Sequence, residues 1–278
     1  MGQLEDRLLE RLGVWKVEVE RSFQTESSLI ALGKRGDQRV VVKVVEKRGD
    51  EWNSGAVLDA FGGRSMVRVY DYIEGAMLME RLDPGSPLTG IALEGDDESA
   101  TEIIAAVIRN MSPGNPPPGT PTTLELAESF VRHRATGDKQ IPAELLDNAE
   151  RIFRELAATQ RTTRLLHGDL QHYNVLLDSE RGWLAIDPKG IVGELEYEIG
   201  AALRNPYELP QIFTAPSVIE RRIRQFAGAL NLDSDRILKW AFAQAVLSAV
   251  WGVEDGYSVP PESAPISLAY AIARMLDG

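Results

Sequence analysis

The run His167-Gly168-Asp169-Leu170-Gln171-His172-Tyr173-Asn174, followed by Ile186-Asp187, sets two carboxylates and an amide at spacings that suit phosphoryl transfer. That reaction needs a divalent cation over the β- and γ-phosphate oxygens, and Mg²⁺ takes hard oxygen ligands. Asp187 offers a full carboxylate and Asn174 a neutral amide oxygen, so these two are the expected metal ligands. Asp169 is the expected base, accepting the proton of an attacking hydroxyl and holding that oxygen in line. The pattern is that of a kinase catalytic loop, His-x-Asp-x-x-x-x-Asn, with a second Asp after the next hairpin. Asp and Asn are frequent in turns, so His-Gly-Asp by itself says little. Residue types, spacing and flanking strands together say much more. His167, a turn residue in an apolar run, is read as a brace for the loop and not as a reactant.

The elements around the loop must bring these groups together. Residues 175–177 and 183–186 read as two short strands joined by a turn at 178–182, which puts Asn174 and Asp187 at adjoining hairpin ends. Upstream, an apolar run at 29–32, a turn at 33–37 and a β-branched run at 39–45 read as a hairpin. A short helix capped by Asp50 runs to Ala60 and stops at Gly62-Gly63. A second hairpin spans 66–80 about Glu74-Gly75, and Asp83-Pro84-Gly85 breaks the pattern. Beyond the break, helices are expected at 101–110, around 145–156, and at 219–230, 237–253 and 266–275. The expectation is an α+β, two-lobed chain: residues 1–82 a β-rich nucleotide-binding lobe with one helix, and 83–278 a mostly helical lobe carrying the catalytic hairpin and the acceptor site.

The segment Asp169 to Asn174, taken with Ile186-Asp187-Pro188-Lys189-Gly190, resembles the aminoglycoside phosphotransferase family. Within it the chain is most similar to the streptomycin/hydroxyurea kinase branch, through that Asp-Pro-x-Gly, the following Val192-Gly193-Glu194, and Leu247-Ser248-Ala249-Val250-Trp251. The resemblance implies a protein-kinase-like fold, ATP as donor, Mg²⁺, and a small hydroxyl compound of the streptomycin kind as acceptor. Gly168 stands where many protein kinases carry an arginine that pairs with a phosphorylated activation loop, and no Ala-Pro-Glu follows Asp187, so a small acceptor is expected and not a peptide. One departure is Glu198, where the family often has Asp at a helix start.

On the nucleotide side, Val40-Val41-Val42-Lys43 sets a lysine where protein kinases have Val-Ala-Ile-Lys. On a strand, Val41, Lys43 and Val45 share one face, so Lys43 is expected on the α- and β-phosphates and Val41 against the base. A lone strand lysine is more readily a snorkelling surface residue; its place after a hairpin and ahead of the catalytic run favours the functional reading. Glu51 is the expected partner for Lys43, Ser27 and Ser28 the expected phosphate donors, and the backbone from Met79 through Glu80 to Leu82 the expected contact for the adenine edge.

The acceptor side is less marked. Glu194, Glu196, Glu198, Glu254 and Asp255 are candidates for ammonium or guanidinium groups, with Trp251 as a stacking face. Taken singly, each reads more readily as solvated surface or, for Trp251, as core. The acidic run Glu94 to Glu98 reads as a helix entry. A net charge of −12 argues against a nucleic-acid partner and suits cationic ligands. With no cysteine, thiolate metal sites and disulfides are excluded. Asp6 and the polar start fit no signal core or myristoylation pattern, and the apolar stretch 241–253 is too short to span a bilayer, so a cytoplasmic protein without membrane partners is expected. Transfer to a streptomycin-like antibiotic, transfer to another small alcohol or amino-alcohol, and silent nucleotide binding all remain open; Lys43, Asp169, Asn174 and Asp187 together set the last behind the others.

Overall fold

The computed structural model describes residues 3–49 and 51–277, with the side chain of Asp277 left aside. The expected cap Asp50 lies outside the described residues. The chain opens on helix α1 (Gln3–Trp15) and continues through β1 (Glu18–Gln24), β2 (Ser28–Arg35), β3 (Gln38–Val45), α2 (Ser54–Phe61), β4 (Val69–Ile73) and β5 (Ala76–Glu80). These strands form one antiparallel sheet in the order β1-β2-β3-β5-β4. In β3 the side chains alternate: Val40, Val42 and Val44 are fully buried against Leu8, Leu12 and Trp15 of α1, whereas Val41 and Lys43 face a cleft. The register sets Lys43 between Ile30 of β2 and Met77 of β5.

Two of these elements were not expected. Helix α1 buries Leu8, Leu12 and Trp15 at helical spacing, a narrow stripe in a charge-rich segment. Strand β1 is exposed along its whole length, so it offers no buried–exposed alternation to find.

The chain leaves the sheet through β6 (Pro84–Pro87) and turns helical: α3 (Thr89–Leu93), α4 (Asp97–Asn110), α5 (Thr123–Leu126), α6 (Glu128–Thr136) and α7 (Ala143–Ala158). Then come β7 (Arg164–Leu166), a single 3₁₀ turn (His172–Asn174), β8 (Val175–Asp178), β9 (Gly182–Ala185) and β10 (Ile191–Gly193). Helices α8 (Leu195–Leu203), α9 (Pro210–Phe213), α10 (Pro216–Leu230), α11 (Ser234–Glu254) and α12 (Ala264–Asp277) complete it. Helix α11 is the axis of this part, apolar and buried on nearly every side, with α7, α8 and α12 packed around it. Phe153 of α7 meets Phe130, Tyr197 and Trp240 edge-on at 5.7, 6.2 and 5.0 Å, joining four elements in one aromatic cluster.

The acidic run before α4 does cap that helix: Asp96 accepts the Ser99 N–H at 3.2 Å. Its neighbour Asp97 turns inward to the buried guanidinium of Arg222, whose Nε lies 2.9 Å away, and so ties α4 to α10. No described helix is long and apolar enough to cross a membrane.

Candidate active site

The catalytic run lies between two small strand pairs. β8 and β9 form an antiparallel hairpin with β6 on its edge, and β7 pairs with β10. The Ile186 N–H donates to the Asn174 carbonyl at 2.9 Å, so Asn174 and Asp187 do stand at adjoining hairpin ends. The N–H groups of Lys189 and Gly190 both donate to the His167 carbonyl, at 2.9 and 3.0 Å, which draws the chain after Asp187 back onto the loop. Asp187 itself has φ +55°, a left-handed conformation that aspartate tolerates better than most side chains. Gly168 has φ +83°, and a Cβ there would come within 2.8 Å of Ile191 Cδ1. Packing as well as φ therefore bars the arginine of protein kinases from this position.

Within the loop, Asn174 Nδ2 donates to the Asp169 carbonyl at 2.9 Å, which leaves its amide oxygen as the atom able to meet a cation. His167 is buried, with Nε2 2.8 Å from the Ile186 carbonyl and Nδ1 accepting the Asp169 N–H at 3.3 Å. Burial lowers its pKa, so the neutral ring serves as a brace between loop and hairpin. His172 is also buried, without a hydrogen-bond partner among the described residues, and burial beside Arg222 pushes its pKa down to about 3.

Two residues that sequence analysis did not assign to the loop hold it. Glu198 of α8 is buried and accepts the backbone N–H of His167 at 2.7 Å and of Gly168 at 3.0 Å. Burial raises its pKa to about 7 against the pull of those donors. Glu198 is therefore no surface acid for an acceptor, and the longer side chain at this position still reaches the loop. Arg204, just past the end of α8, sets a guanidinium N 3.1 Å from Asp169 Oδ1. Nothing near Arg204 in the sequence forms a motif that would mark this contact.

Lys43 is 3% exposed, and its Nζ lies 2.8 Å from Glu51 and 2.9 Å from Asp187 Oδ1. Burial works against its charge, but the two carboxylates outweigh burial and hold its pKa above the ordinary lysine value. Beside Lys43, a cavity of about 300 Å³ runs between Ile30, Leu32 and Val41 on one wall and Leu176 and Ile186 on the other, with 79–85 along its back edge. Leu82 and the backbone of Glu80 line that edge, but the Glu80 carboxylate is engaged by Arg181 and by the Arg68 N–H at 2.7 Å.

The turn at 25–28 corrects one expectation. Ser28 is buried inside it, its N–H donating to Thr25 Oγ1 at 3.1 Å and its hydroxyl 2.8 Å from the same atom, so Ser28 has nothing to offer a phosphate. Ser27 instead donates to Glu51 at 3.1 Å.

A second cavity, of about 410 Å³, is lined by Lys189 and Gly190. Trp251, Glu254 and Asp255 line it, as do Ser129 and Arg132. Glu194 does not: it is 2% exposed, and its carboxylate takes donors from Arg236 and Trp240. An acid so placed is a structural anchor between α8 and α11, and the expectation that it meets an acceptor is corrected.

The sequence profile of the aminoglycoside/hydroxyurea antibiotic resistance kinases matches residues 14–256. A streptomycin 3''-kinase from Klebsiella pneumoniae is 33% identical over 91% of this chain and 94% of its own length. A streptomycin 6-kinase from Streptomyces griseus is 30% identical over 94% and 86% respectively. Among solved structures, an aminoglycoside phosphotransferase mutant bound to ADP and hygromycin B superposes with a TM-score of 0.66 at 17% identity, over 99% of this chain and 97% of that one. A choline kinase from Streptococcus pneumoniae gives 0.65 at 14% identity, with both chains covered in full. At such identities these likenesses speak for the fold, the two-lobed protein-kinase-like one.

Proposed function

The chain belongs to the aminoglycoside/hydroxyurea antibiotic resistance kinase family, and from that we propose that it moves the γ-phosphoryl group of ATP onto a hydroxyl of streptomycin or a similarly guanidinylated cyclitol. The carrying observation is the convergence on one buried ammonium: Lys43 touches Glu51 from the sheet side and Asp187 from the catalytic hairpin. In this reading residues 1–82 hold the nucleotide and 83–278 carry the chemistry and the acceptor.

Adenine lies in the apolar cavity between Val41 and Leu176, its edge toward the 80–82 backbone. Lys43 binds the α- and β-phosphates, held in place by Glu51, which Ser27 in turn orients. The residues fit Mg²⁺: Asp187 keeps one oxygen beyond the one near Lys43, and Asn174 keeps its amide oxygen. Bound there, the ion would neutralise charge on the β- and γ-phosphates. Asp169 takes the proton of the acceptor hydroxyl through Oδ2, while Arg204 holds Oδ1 and fixes the carboxylate's orientation. Glu198 keeps the loop backbone in register for that transfer.

The acceptor enters the cleft beside Lys189, where Trp251, Glu254 and Asp255 offer an aromatic face and two acids. A coupled assay of ATP consumption across aminoglycosides, amino-alcohols and simple sugars tests the assignment. Streptomycin is expected to give the fastest turnover. A choline-like alcohol or a neutral sugar outpacing every aminoglycoside would overturn the acceptor and leave the kinase chemistry standing.

A further inference from the structure

The acid and the aromatic face best suited to a cationic acceptor are both already covered by cations of the protein. Arg132 on α6 sets its Nε 3.3 Å from Glu254 Oε1 at the end of α11. Lys189 holds its Nζ 5.0 Å above the Trp251 ring. Ser129, which is buried, organises the group: its hydroxyl accepts from Arg132 at 2.6 Å and from Trp251 Nε1 at 3.2 Å. All five residues line the same cavity.

The Arg132–Glu254 pair differs from the other ion pairs around the loop. Its side chains are 60% and 27% exposed, against 12% and 24% for Arg204 and Asp169. An exposed pair is weak and screened by salt, so separating it costs little. A guanidinium arriving on a ligand has the same planar fork and the same charge as the one it meets there.

We propose that Arg132 is an internal stand-in for the acceptor's guanidinium, holding Glu254 in the empty cleft and giving it up when a guanidinylated ligand binds. The inference rests on the acceptor reading above and adds a competitor to it. Arg132 keeps Glu254 from standing unpaired in an empty cleft. It also sets a threshold, because a ligand without a cation cannot replace the charge it displaces, and only a guanidinium replaces the planar fork as well.

The test is a double-mutant cycle on Arg132→Gln and Glu254→Gln, read by the KM for streptomycin at saturating ATP. Removing the competitor should lower KM by about two- to fivefold, the worth of an exposed ion pair. Glu254→Gln should raise KM, and in that background Arg132→Gln should change nothing, because the competition acts only through Glu254. A rise in KM from Arg132→Gln in both backgrounds would mean that Arg132 binds the acceptor directly, and no change in either would mean that it is bystander surface. Both results sink the stand-in.

Agmatine separates this inference from the identity of the substrate, since it carries a guanidinium and no hydroxyl. Titrated against tryptophan fluorescence, with Trp251→Phe as control, it should bind more tightly to Arg132→Gln and lose most of its affinity in Glu254→Gln. If streptomycin is not turned over while agmatine follows this pattern, the acceptor assignment fails and the stand-in holds. If streptomycin is turned over while neither ligand responds to Arg132→Gln, the stand-in alone fails.

Discussion

The two cavities, one lined by Asp187 and the other by Lys189, are built in opposite ways. The proposed nucleotide side is an apolar slot closed by a buried ammonium with two carboxylates on it, so its charges are fixed before any ligand arrives. The proposed acceptor side is larger and lined by the long side chains of Arg132 and Glu254, whose ion pair faces solvent. Buried, mutually satisfied groups cost much to disturb, whereas exposed pairs exchange partners cheaply. In the proposed function the common step of the reaction thus falls to the rigid half, and the choice of acceptor to the adaptable one.

The largest expected effect lies in the rigid half. Asp187→Ala deletes a proposed metal ligand and leaves the Lys43 ammonium with Glu51 alone. Activity should fall below detection, and Mg²⁺ should no longer tighten nucleotide binding. Nucleotide titrations with and without Mg²⁺ check this; equal improvement by metal in wild type and variant would remove Asp187 from the site. Asp169→Asn sharpens the same contrast from the loop, with turnover down roughly 10²–10⁴-fold and nucleotide affinity nearly unchanged. A variant of near-normal turnover would take Asp169 out of the mechanism.

Acid should also act on the rigid half. His172 is neutral in the folded chain down to about pH 3, whereas its ring in the unfolded chain takes a proton below 6.5. The unfolded state binds more protons across that window, so stability should drop as pH falls through it, by roughly 4 kcal/mol at most. Glu198 runs the other way: its raised pKa of about 7 against 4.5 means that stability drops as pH rises from 4.5 to 7. The two oppose each other between 4.5 and 6.5, so the His172 slope should emerge below 4.5. Denaturant midpoints of wild type and His172→Phe between pH 3 and 4.5 check it, the variant being expected to flatten the slope.

Much of the rigid half was legible because its residues are close in sequence or lie on one strand. Asp169, Asn174 and Asp187 fall within one loop and hairpin, and strand alternation alone puts Val41 and Lys43 on one face. What escaped notice is long-range or hidden by burial. Arg204 reaches Asp169 from 35 residues away with no pattern around it. Glu194 sits in a polar run that looks solvated, yet Arg236 and Trp240 enclose it. Arg132 gains meaning only once α6 and the end of α11 are folded side by side. Arg204→Gln tests the first of these: losing one charge-assisted bond to the base should cost about tenfold in turnover, with Arg204→Lys restoring part of it and the KM for ATP unmoved.

The smallest expected effect belongs to the adaptable half. If Glu254 and Asp255 attract a cationic acceptor, that attraction is screened over about 8–10 Å at ordinary ionic strength, so the KM for streptomycin should climb severalfold as salt rises. Nucleotide affinity should respond less to salt at Lys43, because that ammonium is buried at the centre of its two carboxylates and is screened less than a surface charge. Asp255→Asn should raise the acceptor KM about two- to fivefold and flatten its salt dependence without altering nucleotide binding. Measuring both KM values across a salt series, in wild type and variant, sets the two halves side by side in one experiment. Equal salt dependence for nucleotide and acceptor would erase the contrast between a fixed and an adaptable half. An acceptor KM indifferent to salt in the wild type would instead show that recognition runs through Trp251 and hydrogen bonds, with the acids as surface charge.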